Sequence, residues 1–139
     1  MGELNPSNPC FGCGGANPRG MRLAFDRDVA RRRIVGRFRL GAEYQGGRGF
    51  IHGGIIATVL DEAMGKVCQF SDVRAVTAEL NVEYLKPVPV DEEISVEGFE
   101  SRRDGRQLFH QAEVRNAAGE LLARGRGRFV VIDPARLKV

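Results

Sequence analysis

No apolar run in this chain approaches the roughly 20 residues that a membrane-spanning helix needs, which excludes such a span. Cysteine is scarce. Only three are present, an odd number, and the opening stretch MGELNPSNPCFGCGG has neither the basic start nor the apolar core of a secretory signal. A disulfide framework is therefore not expected, and the expectation is a cytoplasmic protein with reduced thiols. Strong charge is lacking as well. The net charge is only +3, tryptophan is absent, and no aromatic platform accompanies the basic residues, which argues against a nucleic-acid binder. Internal repeats and low-complexity tracts are also missing.

What is present suffices for one core. At 139 residues and 42% hydrophobic, the chain has apolar material for a single domain and too little for two. Residues 1–20 are rich in Gly, Pro and Asn and read as irregular chain, leaving 21–139 as the folded domain. Residues 21–40 read as a hairpin, its first arm alternating Met21, Leu23 and Phe25 with Arg22, Ala24 and Asp26. The following GAEYQGGRGFIHGG holds too much glycine for regular structure.

From Gly53 to Phe70 the pattern turns helical. At 100° per residue, Ile56, Val59, Leu60, Ala63, Met64 and Val67 share one apolar face that must be buried. The stretch RAVTAELNVEYLKPVPV then alternates Val76, Ala78, Leu80, Val82 and Tyr84 against Thr77, Glu79, Asn81 and Glu83. It stops at Pro87 and Pro89 and is the longest predicted strand. Three more strands, EEISVEGFESRR, RQLFHQAEVRN and ELLARGRGRFVVI, are joined by the turn-forming RDGR and NAAGE. One long helix among about six antiparallel strands predicts an α+β fold in which the sheet wraps the helix. The last strand carries Ala123, Gly125, Gly127 and Phe129 on one face and Arg124, Arg126 and Arg128 on the other, so the helix is expected against the small-residue face.

Two adjacent acids in the helix are not equivalent. Glu62 lies on the wheel near Thr58, Lys66 and Gln69, and its spacing to Lys66 suits a solvated ion pair. Asp61 shares its face with Gly54, Ala57, Gly65 and Cys68, small side chains that leave room for a ligand or another subunit. Aspartate is a poor helix former, and burying a carboxylate without partners is costly, so either a structural partner or a function must offset it. At its start the helix leaves N–H groups unpaired and carries a partial positive charge, which favours an oxygen gaining negative charge near Gly53 and Gly54. Asp61 follows Gly53 by about 12 Å along the axis, so antiparallel pairing of helices in a dimer is what would bring the two together.

Other signals read more plainly. Cys10 and Cys13 form a single C-x-x-C with no second ligand pair, and are expected to be a turn with two reduced thiols, without metal. Cys68 reads as a small apolar filler, and His110 as a polar surface residue.

Three stretches, CFGCGGANPRGMRLAF, YQGGRGFIHGGIIATVLDEAMG and AVTAELNVEYLKPVPV, resemble in that order the hotdog-fold acyl-CoA thioesterases, specifically the phenylacetate-pathway (PaaI-like) branch. The resemblance covers nearly the whole chain. It implies a long helix wrapped by an antiparallel sheet, a homodimer that pairs into a homotetramer, and active sites between subunits. It also implies hydrolysis of an acyl-CoA thioester to a carboxylic acid and CoA, with no metal or other cofactor and no nucleic-acid or membrane partner. By position, Asp61 would be the general base or the nucleophile and Gly53 the N–H donor to the thioester carbonyl. His52 would shape that loop and Thr77 would hold the attacking water. Gln45, Gly46, Gly54 and Asn81 complete the substrate-binding set; relatives often carry Asn or Gln where this chain has Gly46, and Gln45 is the candidate replacement. Arg31, Arg32, Arg33, Arg102, Arg103, Arg124, Arg126 and Arg128 are candidates for the CoA phosphates, beside their simpler reading as a solvated sheet face. Two other functions stay open at this point: a hotdog enoyl-CoA hydratase or dehydratase pairing the acid with a histidine, and a non-catalytic acyl-CoA-binding hotdog protein.

Overall fold

A computed structural model describes residues 2–132. In chain order the elements are β1 (Asp26–Asp28), β2 (Arg33–Arg39), α1 (Gly53–Lys66), β3 (Ala75–Tyr84), β4 (Glu93–Asp104), β5 (Gln107–Asn116) and β6 (Leu121–Val131). Short 3-10 turns occupy Ala42–Tyr44 and Val67–Ser71. All six strands join one antiparallel sheet in the order β1-β2-β4-β5-β6-β3, which leaves β3 on an edge. No helix among the described residues is long and apolar enough to cross a membrane.

The sheet wraps α1 because the residues beneath the helix let it come close. A Cβ built on Gly125 would stand 3.2 Å from Met64 Cε, and one on Gly127 would stand 3.2 Å from Met64 Sδ. The small-residue face of β6 is thus the seat of the helix, as its alternation implies. All six apolar positions of the helical wheel are buried, with Val59, Leu60, Ala63 and Met64 fully inaccessible. Against them pack Ile94 and Val96 of β4, Leu108, Ala112 and Val114 of β5, and Phe129 of β6. Each large side chain so buried contributes about 1.5–3 kcal/mol of hydrophobic stabilisation.

The tightest approach is at β4. A Cβ on Gly98 would lie 2.7 Å from the Ala63 carbonyl oxygen, a backbone atom that cannot swing aside. Gly98→Ala is expected to destabilise the fold by about 1–3 kcal/mol through overpacking. The check is a lower urea midpoint at unchanged slope, and a midpoint equal to the parent's would show that β4 is not pressed against α1 in this way.

Four local expectations are corrected. The first hairpin pairs only Asp26–Asp28 with Arg33–Val35, because the N–H groups of Met21 and Leu23 donate instead to Phe11 O and Gly12 O. The helix stays α-helical only to Lys66 and tightens into the 3-10 turn that ends at Asp72, which sits in the left-handed region at φ 50°. The strand β3 is not the longest: it has 10 residues against 12 in β4, since after Tyr84 the N–H groups of Leu85 and Lys86 both turn to Leu122 O. His110 is not on the surface. It is 1% exposed, in the helix-facing row of β5 with Leu108, Ala112 and Val114. Its Nδ1 lies 2.8 Å from the Met64 carbonyl oxygen, and burial pushes its pKa down, holding the ring neutral.

Candidate active site

Asp61 sits on the flank of α1 that faces the edge strand, and Thr77 Oγ1 donates a hydrogen bond to its Oδ1 at 2.8 Å. Simple alternation along β3 would place Thr77 with Glu79 and Asn81, on the face turned away from the helix. A β-bulge prevents this. Thr77 pairs with Phe129 while Glu79 pairs with the very next residue back, Arg128, so Ala78 is absorbed without a partner. Thr77 thereby joins Leu80, Val82 and Tyr84 on the helix side.

The carboxyl of Asp61 is perturbed by this placement. Burial pushes its pKa above the ordinary carboxylate range, the Thr77 hydrogen bond draws it partly back, and the neighbouring Glu62 charge adds to the rise. Its Oδ2 takes no hydrogen bond from the described residues. One oxygen is therefore held and the other is available.

The start of α1 divides its free N–H groups sharply. His52 caps the helix in extended conformation at φ −58° and ψ 135°, and its Nδ1 accepts from the Gly54 N–H at 2.8 Å. Gly54 is thus already satisfied. The Gly53 N–H has no acceptor among the described residues, and stands where the helix dipole favours negative charge. The Gly53 carbonyl is anchored by the Tyr84 hydroxyl, which donates to it at 2.6 Å. Sequence reasoning missed this residue. Its signal was the last place in the helix-facing row of β3.

The loop before the helix is built by Gln45 and Gly46. Gln45 Oε1 accepts from the Gly49 N–H at 3.2 Å, and the backbone closes through a Gln45–Ile51 bridge. Gly46 packs so near His52 that a Cβ would lie 3.1 Å from its Cα. Gln45, His52 and Gly54 line one open cleft of about 360 Å³ with Tyr44 and Ile55. Asn81 is not brought to either group: it lines a groove on the outer sheet face with Arg102, Phe109, Arg126 and Arg128.

Each arginine singled out in the sequence has a partner within the chain. Arg31 and Arg33 bond Glu97, Arg103 bonds Glu100, Arg124 and Arg126 meet Glu83, and Arg128 reaches Gln107. Arg32 and Arg102 lie over the rings of Phe70 and Phe109. Glu62 departs from its expected solvated pairing. The N-terminal segment covers it, with Cys10 Sγ donating to Oε1 at 3.3 Å and Gly12 so close that a Cβ would stand 2.5 Å from its carboxylate.

Within one chain, eight residues of helix, about 12 Å of axis, separate Asp61 from Gly53. The edge strand beside Asp61 is open and leaves large apolar side chains uncovered: Val76, Leu80 and Tyr84 are 44%, 37% and 55% exposed.

Residues 48–123 match the thioesterase superfamily. The acyl-coenzyme A thioesterase THEM4 of Rattus norvegicus is 34% identical over 116 residues, which cover 83% of this chain and 50% of that protein. The chain spans about half the length of the THEM4 relatives it matches. The crystal structure of a thioesterase superfamily protein, 27% identical, aligns with a TM-score of 0.79 over 84% of this chain and 60% of that one. The E. coli PaaI protein of the phenylacetic acid degradation operon, 18% identical, shares the fold, with a TM-score of 0.70 over 80% and 78% of the two chains. A long helix wrapped by six antiparallel strands, matched in sequence from the loop before the helix to the start of β6, makes this chain a member of the thioesterase superfamily with the hotdog fold.

Proposed function

We propose that the protein is an acyl-CoA thioesterase, acting as a homodimer in which Asp61 of one subunit works opposite the Gly53 N–H of its partner. The observation that carries this reading is the Asp61–Thr77 pair: a half-buried carboxylate with one oxygen held at 2.8 Å and the other free, beside an open strand edge. In the proposed step Asp61 takes a proton from a water that Thr77 helps to hold, and the water oxygen adds to the thioester carbon. The carbonyl oxygen, now negative, receives the Gly53 N–H. Collapse of the tetrahedral intermediate breaks the carbon–sulfur bond, and the departing CoA thiolate takes the proton from Asp61. A raised pKa makes Asp61 a stronger base than an ordinary aspartate.

The unpaired edge of β3, with Leu80 and Tyr84 exposed in its helix-side row, supports subunit pairing, since such an edge invites a second copy. Light scattering is expected to find a dimer or a dimer of dimers. The hydratase reading needs a histidine facing the acid, and within one chain neither does: His52 caps the far end of α1 with its Nδ1 on the Gly54 N–H, and His110 is turned to Met64 O. A panel of aromatic, short-chain and long-chain acyl-CoAs, assayed by thiol release, tests the proposal. Failure of a folded dimer to exceed the uncatalysed rate on every member would leave a non-catalytic acyl-CoA binder.

Thr77→Val gives a finer test. The Thr77 hydrogen bond lowers the Asp61 pKa, so its loss is expected to raise that pKa further. Hydrolysis requires the ionised base, and activity falls as pH drops through the Asp61 pKa. The acid limb of the kcat/KM profile is therefore expected to move to higher pH, with kcat at neutral pH reduced about 10-fold by the loss of a bond to a charged group. An unmoved acid limb would separate Thr77 from the titrating base.

A further inference from the structure

We propose that Cys10, Cys13 and Glu62 form a binding site for a zinc-class divalent ion that pins the N-terminal segment to a different flank of α1 from the one bearing Asp61. The two sulfurs and a Glu62 carboxylate oxygen all lie within 4.8 Å of one another, and Cys10 Sγ and Glu62 Oε1 are 3.3 Å apart. Tetrahedral zinc, with bonds of about 2.3 Å to sulfur and about 2.0–2.2 Å to oxygen, sets its donors roughly 3.5–3.8 Å apart. Small side-chain rotations close the difference.

The loop that delivers the thiols is built for this approach. The Gly14 N–H donates to Cys10 O at 2.9 Å, and the Asn8 side chain accepts from the Cys10 N–H at 3.0 Å while its amide reaches toward Cys13 Sγ. A Cβ on Gly14 would lie 2.2 Å from the backbone Asn8 O, and one on Gly12 would meet the Glu62 side chain and push it aside. These contacts commit the loop to holding both sulfurs over the Glu62 carboxylate.

Charge and chemistry agree with the geometry. Two thiolates and a carboxylate carry three negative charges, which a divalent ion and the nearby Lys66 ammonium balance. Binding displaces the two thiol protons to solvent. Thiolate donors select zinc, cobalt or similar ions over magnesium and calcium, which take oxygen ligands. Cys13 and Lys66 also line a cavity of about 450 Å³ between the N-terminal segment and the domain, with room for water as the fourth ligand. None of the three donors takes part in the proposed hydrolysis, so the two proposals stand or fall separately.

The test uses the full chain, reduced, stripped by a chelator and titrated with Co²⁺ and then Zn²⁺. One equivalent of Co²⁺ is expected to give a near-ultraviolet thiolate-to-cobalt band with tetrahedral visible bands, bleached by Zn²⁺, and Zn²⁺ is expected to raise the melting temperature. Cys10→Ser and Cys13→Ser are each expected to abolish the thiolate band at one equivalent. Glu62→Gln is expected to keep the thiols and weaken binding at least about 10-fold. Circular dichroism of each metal-free variant separates lost ligation from lost folding. The proposal is overturned by a missing thiolate band, by unchanged binding in Glu62→Gln, or by a Cys10–Cys13 disulfide that forms on oxidation in a chain that takes up no metal.

Discussion

Asp61→Asn is expected to lower kcat for acyl-CoA hydrolysis by about 10²- to 10⁴-fold, the usual contribution of a positioned general base. Asparagine keeps the shape of the side chain and an oxygen to accept from Thr77 Oγ1, so the fold and the site geometry should persist. Stability is expected to move in the opposite direction. The folded-state pKa of Asp61 lies above its unfolded value because burial disfavours the charge. Its contribution to stability is therefore full at pH values below the ordinary aspartate range, and is lost as pH rises through the folded pKa. Above that pKa the parental fold carries an ionised, partly desolvated Asp61, a cost that the neutral amide removes. The variant should melt a few degrees above the parent while being nearly inactive. Thiol-release kinetics and calorimetry on one preparation check both halves. Parental turnover in a folded oligomer would remove Asp61 from the mechanism, and a lower melting temperature would show that Asp61 is chiefly a structural partner of Thr77.

Gly53→Pro addresses the other half of the site. Proline deletes one N–H and nothing else from the backbone, and the first helical position is where helices accept it best. The preceding residue must be extended, and His52 already is, at φ −58° and ψ 135°. The Gly53 carbonyl that Tyr84 anchors is retained. Loss of a single oxyanion donor is expected to reduce kcat about 10²- to 10³-fold. Gly53→Ala is the control. It keeps the N–H, and its Cβ meets the Tyr84 ring at 3.4 Å, an ordinary contact, so activity near the parental level is expected. If the proline variant folds and turns over like the alanine variant, the oxyanion is held elsewhere, and the cleft beside Gln45 becomes the place to search.

Much of the scaffold was legible because it repeats. The apolar face from Ile56 to Val67 follows the helical period, and every member is buried. The small-residue face of β6 follows the strand period, and the helix lies on it. What was not legible breaks a period or crosses between distant segments. Thr77 reaches Asp61 only because one bulge shifts the phase of β3, and alternation by itself points it the other way. His110 occupies an inward position in β5, where a neutral imidazole and a helix carbonyl satisfy each other, a pairing that no local pattern announces. Glu62 has the spacing of a surface ion pair to Lys66, yet a loop some fifty residues earlier covers it with Cys10.

The sequence by itself determined which faces are apolar, where the one helix begins, and which residue types stand ready at its start and on its flank, because these follow from local periodicity and from the unpaired N–H groups of any helix end. Tertiary structure alone decided which side chains meet. Hydrogen bonds act over about 3 Å, and whether Thr77, Tyr84 or Cys10 comes within that reach of α1 depends on sheet register and loop path, which a one-dimensional pattern does not encode.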